Sequence, residues 1–462
     1  MKAKELKEKL ENKTKSAWEN STVEKKELEK FAKEYIDFLS RNKTEREAVS
    51  AIREIALANG YTQEVGSKFF VENHGKNIAL VSIGENDISK GVKLIVSHID
   101  SPRLDLKQNP LYEDTELAFL KTHYYGGIKK YQWVTRPLAL HGVVITKNGQ
   151  KLEISIGEKD DEPIFMILDL LPHLSHKKQD DKKIGEAICG EKLNVLIGSI
   201  PYETSEELKD KVKLNILNIL YKKYKIIEKD FQSAELEVVP AGKAREVGFD
   251  RSIIAGYGQD DRVCAFTSLK ALLDAKPDKN TYVVLFSDKE EIGSDGNTGA
   301  KSLFLKQIIK QILVNKKVKP DMITIEECLF NSQAVSADVN GAVDPDWKEV
   351  HEERNAAKMG HGVCMTKFTG ARGKSGASDA NAEYIGKLRN ILDDAQVSWQ
   401  TGELGKVDEG GGGTIAKYLA YYGMDVVDMG PAILSMHAPV EVASKIDVYM
   451  TYKAYKAFLE KA

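Results

Sequence analysis

Four apolar, strand-like runs in this chain lead directly into residues that can bind metal or move protons. They are Ile95-Val96-Ser97-His98-Ile99-Asp100, Leu285-Phe286-Ser287-Asp288-Lys289-Glu290-Glu291, Val335-Ser336-Ala337-Asp338 and Ile433-Leu434-Ser435-Met436-His437. A fifth segment, Gly258-Gln259-Asp260-Asp261-Arg262, stands just before a helix-like stretch. Imidazole and carboxylate are the donors that zinc and similar divalent ions take. Each group alone has an ordinary use: Asp260 or Asp261 can cap a helix, a histidine after a strand can be hydrogen-bonded structure, and a Glu-Glu pair can be a solvated turn. Coincidence shifts the balance, because four separate strand ends carry such residues while most of the nine histidines lie elsewhere.

The number of candidate ligands suggests two ions. A hydrolytic two-metal site, with ions ~3.5–4 Å apart, needs a carboxylate to bridge them and a free base beside the water they share. Glu290 and Glu291 leave the backbone in different directions, so one can ligate while the other holds the water. Asp100, two residues beyond His98, can hydrogen-bond its imidazole and set the tautomer. The Gly-rich run Asp408-Glu409-Gly410-Gly411-Gly412-Gly413-Thr414 matches neither a P-loop nor a dinucleotide fingerprint, and reads as a flexible loop entering a helix at 415–422.

The elements that would hold these groups follow a pattern. Residues 22–59 read as helices, the second opening with the capping box Thr44-Glu45-Arg46-Glu47 and closing at Gly60. Buried strands are predicted at 78–82 and 92–96, then helix at 261–274, strand at 281–287 and helix at 300–315. Strand-like runs follow at 322–325, 333–337 and 424–429, and a long helix at 443–461. This alternation indicates an α/β fold, a helix-covered mixed, mostly parallel sheet. Between them the character changes: 124–131 and 138–145 look like β segments, 176–183 a solvated loop, 206–224 a helix and 234–240 a strand. The expected organisation is one catalytic α/β domain in two segments, 1–104 and 248–462, with a β-rich domain inserted at 105–247. In open α/β sheets ligands bind beyond the carboxyl ends of the strands, where the candidate residues fall.

Composition narrows the partners. Among 462 residues, 67 Lys+Arg against 70 Asp+Glu leave a net charge of −3, without the basic surplus a nucleic-acid binder needs. Hydrophobic residues at 42% and only 12 prolines are ordinary globular values and argue against disorder. No uncharged apolar run approaches a membrane span and the N-terminus is charged throughout, so no membrane or secretory role is expected. Four scattered cysteines, with no C-x-x-C pair, fit a reducing, cytoplasmic setting.

Taken in order, the five motifs resemble those of the aspartyl aminopeptidase (aminopeptidase I) family of metallopeptidases. Thr122–Trp133 and Leu170-Leu171-Pro172-His173-Leu174 look like its bacterial branch. The resemblance covers essentially the whole chain. It implies a zinc-peptidase type catalytic domain and two divalent ions per subunit, most readily Zn, with Co or Mn as alternatives. Asp260 would bridge them, His98 and Asp338 completing one site, Glu291 and His437 the other. Glu290 would be the general base for a bridging hydroxide, with a cis peptide at Asp260–Asp261. The resemblance further implies that the inserted domain dimerises, that dimers assemble into a dodecamer, and that His173 reaches a neighbouring subunit's site. Substrates would be peptides with a free N-terminus, with acidic first residues favoured. This chain departs from the eukaryotic Arg-Asn-Asp segment before the glycine/threonine turn, leaving Lys406 or Lys367 to read the acid.

Two competing readings are a two-metal amidohydrolase, such as a deacylase or carboxypeptidase, on the same scaffold, and a non-catalytic assembly protein. The second would be expected to lack a ligand or the base, and all six positions carry competent residues.

Overall fold

Two sheets divide the chain. The computed structural model describes residues 2–12, 14–63, 66–276 and 279–462. The larger sheet has twelve strands. At its centre Tyr282–Ser287, Lys93–His98, Gln333–Ser336 and Asp425–Leu434 lie side by side and all parallel. Antiparallel strands flank this centre: Asn77–Ser82 and Lys68–Asn73 on one side, Glu441–Ser444, Ile253–Gly256 and Arg245–Val247 on the other. The sheet is thus mixed, with its parallel ladder where the candidate ligands emerge.

The central strands read as continuous apolar runs because both faces are covered. On one face pack Lys25–Arg41, Glu45–Ala58, Gln259–Asp274 and Lys445–Lys461, through Phe31, Tyr35, Phe266 and Tyr455 among others. On the opposite face Phe304–Asn315, Met322–Phe330 and Ala416–Ala420 contribute Ile308, Ile312, Leu329 and Leu419. Thr44 caps its helix as expected, accepting from the Glu47 N–H at 3.2 Å. The strand expected at 322–325 is instead the start of a helix, Met322–Phe330. Asp321 caps it by accepting from the Thr324 N–H at 3.0 Å, and the buried Ile325, Cys328 and Leu329 recur at helical spacing. Tertiary burial overrides the β-branched start of that segment. Similarly, the helix expected at 206–224 begins only at Lys211.

The second sheet, seven-stranded and antiparallel, is built from strands between Arg103 and Pro240. Helix Lys211–Tyr224 packs against it, around a core that includes the fully buried Trp133. Where the two sheets meet, the seam is ionic. Lys43 donates from Nζ to Glu158 Oε1 (2.6 Å), Pro240 O (2.7 Å) and Gly242 O (2.8 Å). His141 bonds Glu47 Oε1 through Nδ1 (2.7 Å) and Glu158 Oε1 through Nε2 (2.9 Å). Burial opposes charging of this imidazole, but the hydrogen bonds and charges of Glu158 and Glu47 push it up to about 9. Arg103, also buried, reaches Asp105 (2.8 Å), Glu237 (3.1 Å) and Glu45 (3.6 Å). Charges this deep are sustained only when paired.

Candidate metal centre

The parallel ladder delivers the candidate groups to one edge. Ser287 is in register with His98, and Ser336 with Val96, so Glu290, Glu291 and Asp338 leave the sheet beside His98 and Asp100. Glu290 and Glu291 open a tight turn, Glu290–Ile292. Asp260 enters from the first turn of helix Gln259–Asp274, and the Asp260–Asp261 peptide is cis. That helix starts at Gly258, with φ +71°, where a Cβ would sit 1.7 Å from the Arg262 guanidinium; only glycine fits there. His437 follows the Asp425–Leu434 strand.

Asp260 is the hub. Its Oδ1 lies 3.1 Å from His98 Nε2 and its Oδ2 lies 3.3 Å from His437 Nε2, which is also 3.3 Å from Glu291 Oε2. His98, Asp260 and Glu291 offer atoms all within 4.8 Å of one another, and so do His98, Asp261 and Asp338. Six of the candidate residues, Asp260, Glu290, Glu291, Asp338, His437 and, beneath them, His98, therefore share one place. Asp100 lies behind His98: its backbone carbonyl is 3.0 Å from Nδ1, and its carboxylate accepts from the N–H groups of Glu290 (3.1 Å) and Glu291 (3.2 Å). One aspartate thus fixes both the imidazole and the glutamate turn.

The electrostatics describe a site made for cations. Burial pushes Glu291 and Asp338 well above the usual carboxylate range, with neighbouring carboxylates adding to the effect. Burial likewise pushes Glu290 up to about 7. For Asp260 burial acts the same way, but hydrogen bonds from His437 and His98 prevail and hold it below the usual range. Glu291 Oε1 and Asp261 Oδ1 are buried without a partner. Buried carboxylates at this density, with orphaned oxygens and two imidazoles, fit divalent ions of the zinc type.

Several supports carry no motif. Glu441 is 1% exposed, and its Oε2 accepts from the N–H groups of Gln259 (2.6 Å) and Asp260 (3.2 Å) while Oε1 accepts from that of His437 (2.9 Å). Tyr125 donates to Asp100 Oδ2 at 2.8 Å, and Gly127 O lies 3.0 Å from His437 Nδ1; both belong to the second-sheet segment. Spacing offered only a faint hint of Glu441, an acid four residues past His437.

The site opens into a cleft of about 490 Å³ whose far part is lined by Asn340, Thr366, Thr414, Lys417 and Asp428. The lysines expected to read an acidic residue are elsewhere. Lys367 is ion-paired with Asp379, which also pairs with Lys374, and Lys406 is exposed outside the cleft. The physical reason is local: Asp379 captures Lys367, and the Lys406 N–H is tied to Val350 O at 2.9 Å in a separate loop. His173 is exposed on the short helix Pro172–Ser175 and does not line this cleft.

A mixed α/β sheet whose strand ends gather imidazoles and carboxylates in a cleft defines a metal-dependent hydrolase. The family model "Aminopeptidase I zinc metalloprotease (M18)" matches residues 38–459. A probable M18 family aminopeptidase 1 of Clostridium acetobutylicum is 50% identical over 457 residues, covering 96% of this chain and 98% of that protein. The crystal structure of an M18 aminopeptidase from Thermotoga maritima superposes with a TM-score of 0.94 at 48% identity, covering 98% and 100% of the two chains. The S. cerevisiae mApe1 dodecamer shares the fold at 21% identity, with a TM-score of 0.75 over 94% and 97%. The chain belongs to the aminopeptidase I zinc metalloprotease family and is a metal-dependent aminopeptidase.

Proposed function

We propose that this enzyme removes the first residue of peptides with a free N-terminus, using two divalent ions bridged by Asp260. His98 and Asp338 complete one ligand set, Glu291 and His437 the other. The observation that carries this is the split of the Asp260 carboxylate, one oxygen toward His98 and the other toward His437. Two ions bound there would acidify a water and polarise the scissile carbonyl. Glu290 takes the proton of the attacking water and returns it to the departing amine, a role suited to a carboxyl that burial pushes up to about 7. Asp100 orients His98 through Nδ1 and holds the Glu290 turn.

Self-association through the inserted domain, residues 105–247, is part of the same reading, extending to a dodecamer. Exposed Leu168, Leu170, Leu171 and Leu174 on that domain support it, and an exposed His173 among them suits contact with a neighbouring subunit's site. Cytoplasmic residence is supported by four unpaired cysteines; among the described residues no helix is long and apolar enough to cross a membrane. An acidic first-residue preference has the resemblance behind it, and Lys417 is the one cation among the described residues lining the cleft.

The test strips metal by chelation, reloads Zn, Co or Mn, and compares unblocked with N-acetylated amide substrates. Reloading should restore cleavage of unblocked substrates only. Glu290→Gln should retain metal and lose ~10²–10⁴-fold in turnover. Cleavage of blocked substrates, or full activity in Glu290→Gln, overturns the reading.

A further inference from the structure

The cleft is closed at one end and open at the other. Its far end is floored by the buried side chains of Asn340, Thr366 and Asp428. Its lip is formed by Leu404 and the glycine run 411–413, all exposed. The first residue of a peptide has nothing before it, so it suits the closed end, and the rest of the chain must leave over the lip. Among the described residues the N–H groups of Gly411, Gly412 and Gly413 meet no acceptor, so they can donate to the carbonyls of a departing chain.

Beyond that lip lies a second cavity of about 410 Å³, which shares Thr369 and Leu404 with the first. Its charged lining is three cations, Arg372, Lys374 and Lys406, against one acid, Glu403. Lys374 is engaged by Asp379 at 2.8 Å and packs over the Phe368 ring. Arg372 and Lys406 are exposed and, among the described residues, have no ion-pair partner. Asp408 and Glu409, in the same loop as Lys406, line neither cavity. The surplus is therefore positive where the departing chain arrives, and its complement is a carboxylate. The C-terminal carboxylate of a di- or tripeptide stands one or two residues past the scissile bond, at most ~7 Å of extended chain. We propose that the second cavity, through Arg372 and Lys406, receives the C-terminal carboxylate of the leaving portion, and that the enzyme is thereby adapted to di- and tripeptides.

Lys417 takes no part in this. Half-buried beside the glycine run, with Nζ 4.8 Å from the Tyr418 ring centre, it lines the first cavity and not the second. It stays available to an acidic first side chain. Preference at the first residue and recognition of the leaving portion thus draw on different cations. An acidic side chain one or two residues past the scissile bond carries the same chemistry as a terminal carboxylate, so the substrates must tell the two sources apart.

This inference rests on the aminopeptidase reading, and the experiment separates the two. The metal-loaded wild-type enzyme is assayed on Leu-Gly, Leu-Gly-Gly, their C-terminal amides, Leu-amide, and the pair Leu-Gly-Asp-amide and Leu-Gly-Asn-amide. A parallel series begins with Glu, and ratios are taken within each series so that first-residue preference cancels. The free acids should exceed their amides by ~10-fold in kcat/KM, mainly through KM, since each exposed charge pairing brings a few-fold. That ratio should fall as ionic strength rises. Joint substitution of Arg372→Gln and Lys406→Gln should bring it to within ~2-fold of one. Equal rates on acids and amides overturn the inference, and so does a ratio that survives the joint substitution. A gain confined to the Asp-over-Asn pair assigns the cavity to acidic side chains and overturns the terminal carboxylate. Failure on every substrate of both series, Leu-amide and Glu-amide included, overturns the aminopeptidase reading and the inference with it.

Discussion

The ionic seam between the two sheets makes their docking sensitive to alkali. His141 sits 2% exposed between Glu47, on the helix that covers the large sheet, and Glu158, at the end of a strand pair of the small one. Its imidazole titrates at about 9 in the folded chain, against an ordinary 6.5 when unfolded. At ~1.4 kcal/mol per pH unit the difference amounts to about 3 kcal/mol. Because the folded value is the higher one, this stability is present in full below about pH 6.5 and disappears as pH rises through about 9. Glu47 and Glu158 have lowered values and stay ionised across that window, while burial lowers Lys43, whose own contribution has the opposite slope. Comparison with a variant isolates the histidine. Urea unfolding of wild type and His141→Gln, at one protein concentration and at about pH 6, 7.5 and 9.5, should show a stability gap that closes by about 3 kcal/mol over the series. A gap constant to within about 0.5 kcal/mol would falsify the assignment of a shared, charged imidazole at this seam.

Two further perturbations probe the metal centre from behind. Gly430→Ala would set a Cβ 2.1 Å from Asp338 O and 2.9 Å from Cys264 Sγ, forcing Asp338 off its position. Elemental analysis of the purified variant should find fewer ions per chain than in wild type, and wild-type metal content would count against Asp338 as a ligand. Glu441→Gln presents an NH₂ group to a backbone N–H, because both Glu441 oxygens are engaged as acceptors. Metal titration should show affinity weakened ~10–100-fold, the usual effect of disturbing groups that orient ligands, and unchanged affinity would deny Glu441 that role.

What was legible in the sequence was whatever chemistry restricts to a few residue types. Metal donors are His, Asp and Glu, and strands buried on both faces announce themselves as apolar runs, so the edge at His98, Glu291, Asp338 and His437 could be anticipated from where those runs end. Supports that act on the backbone were not legible. Glu441 bonds three main-chain N–H groups and Gly127 offers only a carbonyl; neither interaction leaves a mark on residue type. The specificity lysines failed for a related reason, since whether a lysine is available depends on its neighbours in space, and Asp379 holds Lys367. The helix at Met322–Phe330 was misjudged because its β-branched opening says strand, while its burial at 325, 328 and 329 says helix.

Tyr125 and Gly127 come from the small sheet's segment, yet they hold Asp100 and His437 of the large one. The first strand of the small sheet begins at Arg103, three residues after Asp100, so the segment that builds this sheet leaves directly from the reacting edge. A module attached in this way is no interchangeable cassette. Grafting a relative's insert onto this scaffold would also replace the hydroxyl and the carbonyl that hold two residues of the centre, and removing it would leave both without support. Changes to the small-sheet segment and changes to the chemistry at the edge are therefore mechanically linked, and substitutions aimed at that segment's outer surface should leave its root at 102–127 untouched.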